Sequence, residues 1–299
     1  MSEVKLKPFK SFEQQLAKLR SRNLEIPKEN EDFALSILMR INYYRFTAYL
    51  LPYKTEDDMY LPGTNFNTIY DIYEFDRKLR NITITLLEHI EISFRTYIAY
   101  AHSRKFGPDG YLNSSNFINK KDIKTDKDFH SGFCSILKKS QESHKHRLFV
   151  MHHEDKYDGI MPLWVATEIL TFANISKFYS NLNPSEKSFI KTTFIKLNVD
   201  FVENWLEGLT GIRNACAHSH RIYNEKFMNI KIMKRYAELN LDGRKFFAYV
   251  LAMKHLTMSD KEWNLFFIEL QKLVSEYFAS VDLSLLGFPS NWKEVLAEE

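Results

Sequence analysis

Glycine and proline are scarce, 9 and 8 among 299 residues. With so few breakers helices can run long, and a turn-rich β architecture is disfavoured. Cysteine is scarcer still. Cys134 and Cys216 stand far apart and in no CxxC pair, which argues against a disulfide framework or zinc knuckle and fits a reducing cytosol. No uninterrupted apolar run approaches a bilayer-spanning length, and residues 1–5 carry no signal-type apolar segment. The expectation is a cytoplasmic chain with no membrane partner. A glycine-rich phosphate loop is missing, so NTP hydrolysis has no support, and no His-Glu-x-x-His zinc motif occurs. Charge of one sign is missing too: 41 basic against 38 acidic side chains leave +3. That balance neither demands nor excludes a nucleic-acid partner, because a local basic face can hide in the total.

What is present is globular. Apolar residues make up 44% of the chain, enough for a sizeable core. Ser11-Phe-Glu-Gln14 reads as a capping box opening a first helix with Leu16 and Leu19 inward. A second helix is expected over about Asp32 to Leu51, then a loop from Pro52 to Asn65. The longest pattern runs from about Thr68 to His102, where Leu79, Ile82, Leu86, Ile90, Phe94, Tyr97 and Ile98 form an amphipathic stripe. Its other side carries Glu88, Glu91, Arg95 and His102. Beyond Gly107–Gly110, helical pieces are expected around 127–143 and an exposed connection from His144 to Gly159. One helix follows from Pro162 through Phe178, another begins at Asn183-Pro-Ser185, and a third covers about Asp200 to Thr210, ending at Gly211. Helices near 244–257 and 260–280 and a short terminal helix complete an all-α chain without internal repeats.

The chemistry centres on Arg213-Asn214-x-x-x-His218. RNA can be cut without metal when its own 2′-hydroxyl attacks the adjacent phosphate. Imidazole, with an unperturbed pKa of about 6.5, can move the protons. A guanidinium fork can hold the charge that builds on phosphorus, and Asn214 can orient either partner. The spacing alone is not distinctive among 10 histidines: Arg147 reaches His152 and His153, Arg95 reaches His102, and Arg213 also reaches His220. On pattern alone, surface ion pairs and helix ends are the plainer explanation of such spacings. Glu91, Arg95, His102 and His220 are candidate substrate-binding residues, against the plainer reading of a solvated helix face. The pairs His144-x-His146, His152-His153 and His218-x-His220 invite a metal, but read more simply as solvated histidines, so no metal site and no cofactor is expected. Tyr43, Tyr44 and Phe46 could stack on bases, although aromatics at helical spacing default to core.

Ile41-Asn-Tyr-Tyr-Arg-Phe46, Ile72-Tyr-Glu-Phe-Asp-Arg77 running into Leu79-Arg80, Glu88 to Arg95, Pro162-Leu-Trp164, Ile212 to His218 and Gly287-Phe-Pro-x-x-Trp292 occur in order along the chain. Together they resemble the bacterial Abi-like proteins of the AbiD/AbiF type, placed in the HEPN superfamily of helical RNA-targeting domains. The resemblance implies a helical bundle with a HEPN-like core over 66–225, flanked by helical regions 1–65 and 226–299. It implies an Arg-x4-His signature at Arg213, Asn214 and His218. It further implies metal-independent endoribonuclease activity, leaving a 2′,3′-cyclic phosphate and a 5′-hydroxyl, in a toxin-like phage-defence role. Such domains commonly pair two Arg–His sets across a cleft; with one set per chain, a homodimer is implied. Some relatives are restrained by a small RNA or a protein antitoxin. Others have lost catalysis, which leaves a non-catalytic RNA-binding or sensor module as the alternative and a metal-dependent nuclease as a third reading.

Overall fold

A computed structural model describes residues 6–121 and 128–298. The leader reading at residues 1–5 and the first residue of the expected 127–143 helix lie outside the described residues. Among the described residues there is no strand, only three isolated bridges, and the protein is an all-α bundle.

The helices are α1 (Phe12–Arg20), α2 (Glu31–Arg40), α3 (Tyr43–Thr47), α4 (Phe66–Phe106), α5 (Phe129–Ser143), α6 (Leu148–Tyr157), α7 (Leu163–Ala166), α8 (Phe172–Asn181), α9 (Pro184–Ile190), α10 (Val199–Ala217), α11 (Phe246–Leu256), α12 (Asp260–Glu276) and α13 (Trp292–Ala297). The Ser11–Gln14 capping box opens α1 and its Leu16 and Leu19 are buried. The organising element is α4. With 41 residues it runs roughly 60 Å at 1.5 Å per residue. Asn65 starts it, its side chain accepting from the Thr68 N–H at 2.9 Å, and Gly107 ends it at φ 86. It packs against α3 and every helix from α7 to α12. The buried apolar side chains form one core from Leu16 to Leu296.

Four expected spans are redrawn. The helix expected over 32–51 breaks at Ile41, which is extended, because the Asn42 side chain accepts from the Tyr44 N–H at 2.9 Å and caps α3. The connection expected at 144–159 contains α6; only its Val150 and His153 are buried, so no apolar stripe marked it. The helix expected from Pro162 to Phe178 stops at Leu170 (ψ 150), and Thr171 caps α8 afresh. Conversely, α10 does not end at Gly211 but continues to Ala217, carried by burial of Ile212, Ala215 and Cys216. A mid-helix glycine costs only about 1 kcal/mol, which packing overrides.

The polar side of α4 is solvated only in part: Glu88 is exposed and Arg95 half-buried. Glu91 and His102 are buried, and so are Asp76 and Arg80 three and more turns before Glu91. Neighbouring elements cover these buried positions, so their polar groups pair internally, while Glu88, Ile92, Thr96 and Tyr100 of the same helix stay exposed.

Candidate functional site

The Arg213 segment lies in the last two turns of α10, and the end of that helix is a tight, bonded turn. The Ser219 N–H reaches the Cys216 carbonyl at 3.3 Å and the His220 N–H the Ala215 carbonyl at 2.8 Å, with Ser219 in the left-handed region at φ 57. This is a Schellman ending with serine where glycine is usual. It presents His218 and His220 to solvent with their rings 6.0 Å apart. Arg45, just inside α3, donates to the Ser219 carbonyl and holds the turn from outside. Beyond it, the Ile222 and Tyr223 N–H groups donate to Asp76 Oδ1 at 3.1 and 2.9 Å. Asp76 also accepts from the Tyr49 hydroxyl at 2.6 Å and pairs with Arg80. The chain on both sides of the histidines is thus pinned to α3, the turn after it, and α4.

Arg213 itself faces α4. Its Nε–H donates to Glu91 Oε2 at 3.3 Å, and its side chain is 35% exposed against 11% for Glu91. The other Glu91 oxygen accepts from Arg95 Nη2. Arg95 also donates to the carbonyls of Thr167 and Leu170, the latter at 2.6 Å. The Leu170 carbonyl lies where the helix breaks between α7 and α8, and the Thr167 carbonyl, already accepting from the Leu170 N–H at 3.2 Å, takes Arg95 as a second donor. Among the described residues Arg213 bonds Glu91 and not His218.

An open cavity of about 320 Å³ lies over this network, walled by Ile84, Glu88, Glu91, Ile92, Arg95, Glu168 and Arg213. A second, of about 470 Å³, continues along α4 from Arg95 and Glu168 past Tyr100, Arg104 and Trp164. Glu91 thus meets Arg213 directly, and Arg95 joins them through the same carboxylate. His102 does not. It is fully buried against Phe106, Phe117 and Phe178, with Nδ1 2.7 Å from Glu186 Oε1, the carboxylate that caps α9. Its place is structural, tying α4 to the start of α9. His220 joins His218 on the exposed turn, and Asn214 is exposed one helical turn before it.

The aromatic trio of the second block divides: Phe46 is buried, Tyr43 half-buried, and Tyr44 is 84% exposed beside Arg45. Cys216, inside the motif, is buried and its thiol pushed up to about 12, chiefly by burial, so it stays a protonated, inert packing group. Among the described residues no group of three or more His, Cys, Asp or Glu side chains could hold a metal. Nor is any helix among them long and apolar enough to cross a membrane.

Sequence reading did not single out Asp76, Arg80, Tyr49 or Arg45 as parts of this arrangement. Arg45 and the Asp76–Arg80 pair carried a signal in their membership of the ordered blocks, whereas Tyr49 lies outside every block.

The site is thus an arginine set against a buried carboxylate, beside a histidine-bearing helix end in an all-α bundle. The Abi-like protein family model matches residues 36–224, more than half of the chain, and every group just described falls inside that span. The chain belongs to the Abi-like family. No curated protein and no solved structure gives a significant match to it.

Proposed function

We propose that the protein is an abortive-infection ribonuclease of HEPN type that defends its host against phage by cutting RNA without metal. The supporting observation is the state of Arg213: a guanidinium held side-on at the wall of an open cavity, five residues before an exposed histidine. Among the described residues the Nε edge has a partner and the Nη edge has none, so the fork can take two oxygens of one phosphate. His218 accepts the 2′-hydroxyl proton, the 2′-oxygen bonds to phosphorus, and the bond from phosphorus to the 5′-oxygen breaks. The leaving oxygen takes a proton from an imidazolium, leaving a 2′,3′-cyclic phosphate and a 5′-hydroxyl. Arg213 stabilises the charge gathering on the phosphate oxygens, and Asn214 orients the reacting groups.

A second copy completes this reading. Residues five apart on a helix stand roughly 140° apart around its axis, and His218 does not line the Arg213 cavity. Two chains facing each other would bring one chain's imidazole to the other's arginine, so the active form is a homodimer. A small RNA or protein antitoxin restrains it in the cell.

The test is incubation of purified protein with mixed cellular RNA in EDTA, followed by mapping of the ends. Cyclic-phosphate ends that vanish in folded Arg213→Ala and His218→Ala variants are expected, with loss of toxicity on expression. RNA that shifts on a gel but is never cut would instead favour a binding or sensor module. Cleavage that EDTA abolishes would favour a metal-dependent nuclease.

A further inference from the structure

Glu91 was grouped above with candidate RNA contacts, yet a carboxylate repels phosphate, and this one is buried between two guanidinium groups. We infer that Glu91 is a positioning residue: with Arg95 behind it, it clamps Arg213 by Nε and so aims the free Nη edge at the scissile phosphate. The assignment rests on the ribonuclease reading of Arg213.

Three observations carry it. Each Glu91 oxygen has its own arginine, Oε1 to Arg95 and Oε2 to Arg213, so the carboxylate cannot rotate away without losing a charged partner. Arg95 in turn is fixed by two backbone carbonyls, Thr167 and Leu170, so the chain of contacts ends on rigid main chain, not on another mobile side chain. Finally, among the described residues Arg213 has no partner at Nη1 or Nη2. A flexible arginine on an exposed helix end samples many rotamers. Fixing it before substrate arrives removes that entropy from the reaction barrier. The clamp also keeps two like charges together: with Glu91 neutral, Arg95 and Arg213 repel, and Arg213 is the one free to swing out, being the more exposed.

Glu91→Gln keeps the shape but has only one accepting oxygen, so one of the two arginines loses its partner. The cleavage assay in EDTA should show kcat down about 10²-fold, the scale for misplacing a catalytic group by about 1 Å, with KM changed much less. Glu91→Asp, shorter by one methylene, should fall between. Melting curves establish that the variants are folded. Added guanidinium ion should partly restore cleavage to Arg213→Ala, where Glu91 still offers it a seat, but not to Arg213→Ala with Glu91→Gln. Equal rescue in both, or Glu91→Gln cleaving like the wild type while Arg213→Ala is dead, would overturn the inference.

A readout independent of cleavage separates this claim from the ribonuclease reading. The Arg213 15Nε–Hε resonance, assigned by its loss in Arg213→Ala, should be protected from exchange in the wild type and averaged in Glu91→Gln. An Nε–H signal indifferent to Glu91→Gln refutes the clamp whether or not RNA is cut. A normal clamp in a protein that cuts no RNA refutes both the ribonuclease reading and the catalytic purpose of the clamp.

Discussion

Replacing Asp76 by asparagine should be among the most damaging single-atom changes in this chain. Asp76 is fully buried, and its two oxygens serve four donors: Arg80, the Tyr49 hydroxyl, and the Ile222 and Tyr223 N–H groups. Asparagine offers one oxygen, so whichever way it turns its amide hydrogens face donors on the other side. It also leaves Arg80, 4% exposed, as an uncompensated interior cation that cannot shed its proton. Breaking a buried pair in this way costs about 3–5 kcal/mol, which for a chain of this size lowers Tm by roughly 5–8 °C. The complementary variant, Arg80→Met, should cost less. Asp76 then keeps three donors, and unlike arginine it can become neutral by taking a proton. Urea unfolding followed by far-UV circular dichroism measures both. If Asp76→Asn stays within about 1 kcal/mol of the wild type, or Arg80→Met is the worse of the two, the claim that this carboxylate anchors the chain after the histidine turn is wrong.

Two glycines three residues apart on α10 should respond oppositely to alanine. A Cβ on Gly208 runs into Ile230 and crowds Tyr249, so Gly208→Ala should cost about 1–3 kcal/mol by overpacking. A Cβ on Gly211 meets nothing within 4 Å, so Gly211→Ala should add about 0.5–1 kcal/mol through helix propensity. Equal effects in a chemical melt would contradict this packing of α10. A pH dependence follows from His255, which stacks on Trp205. Burial, then the charges of Arg235 and Lys254, push its imidazole down to about 4. A depressed histidine is proton-poor when folded. Above about pH 6.5 it therefore contributes no penalty; between 6.5 and 4 stability is lost as only the unfolded chain takes up the proton, and below 4 the loss stops growing. His255→Phe keeps the ring stack and should flatten that decline in urea midpoints measured from pH 7 to 4. An unchanged slope would mean other groups set it.

Local chemistry accounts for what the amino-acid sequence determined alone. The Ser11–Gln14 box, the 41-residue run of α4 without a glycine or proline, and the Asn183-Pro184 start of α9 are signals carried within a few residues, and each produced its element. The Arg-x4-His spacing could be read off the chain as well, although nothing in the spacing distinguished it from Arg95 and His102. Tertiary structure decided that difference. His102 and Arg213 are equally polar and equally helical, but one meets Glu186 in the interior and the other meets Glu91 at the wall of an open cavity. The break at Leu170 was likewise invisible locally, because the Leu170 carbonyl is satisfied by Arg95, 75 positions earlier in the chain. Which face of α4 is polar depends on who packs against it, and a 3.6-residue period cannot say whether a charged stripe will meet water or two arginines. Periodicity records a side chain's direction along its own helix; its partner is chosen by the rest of the fold.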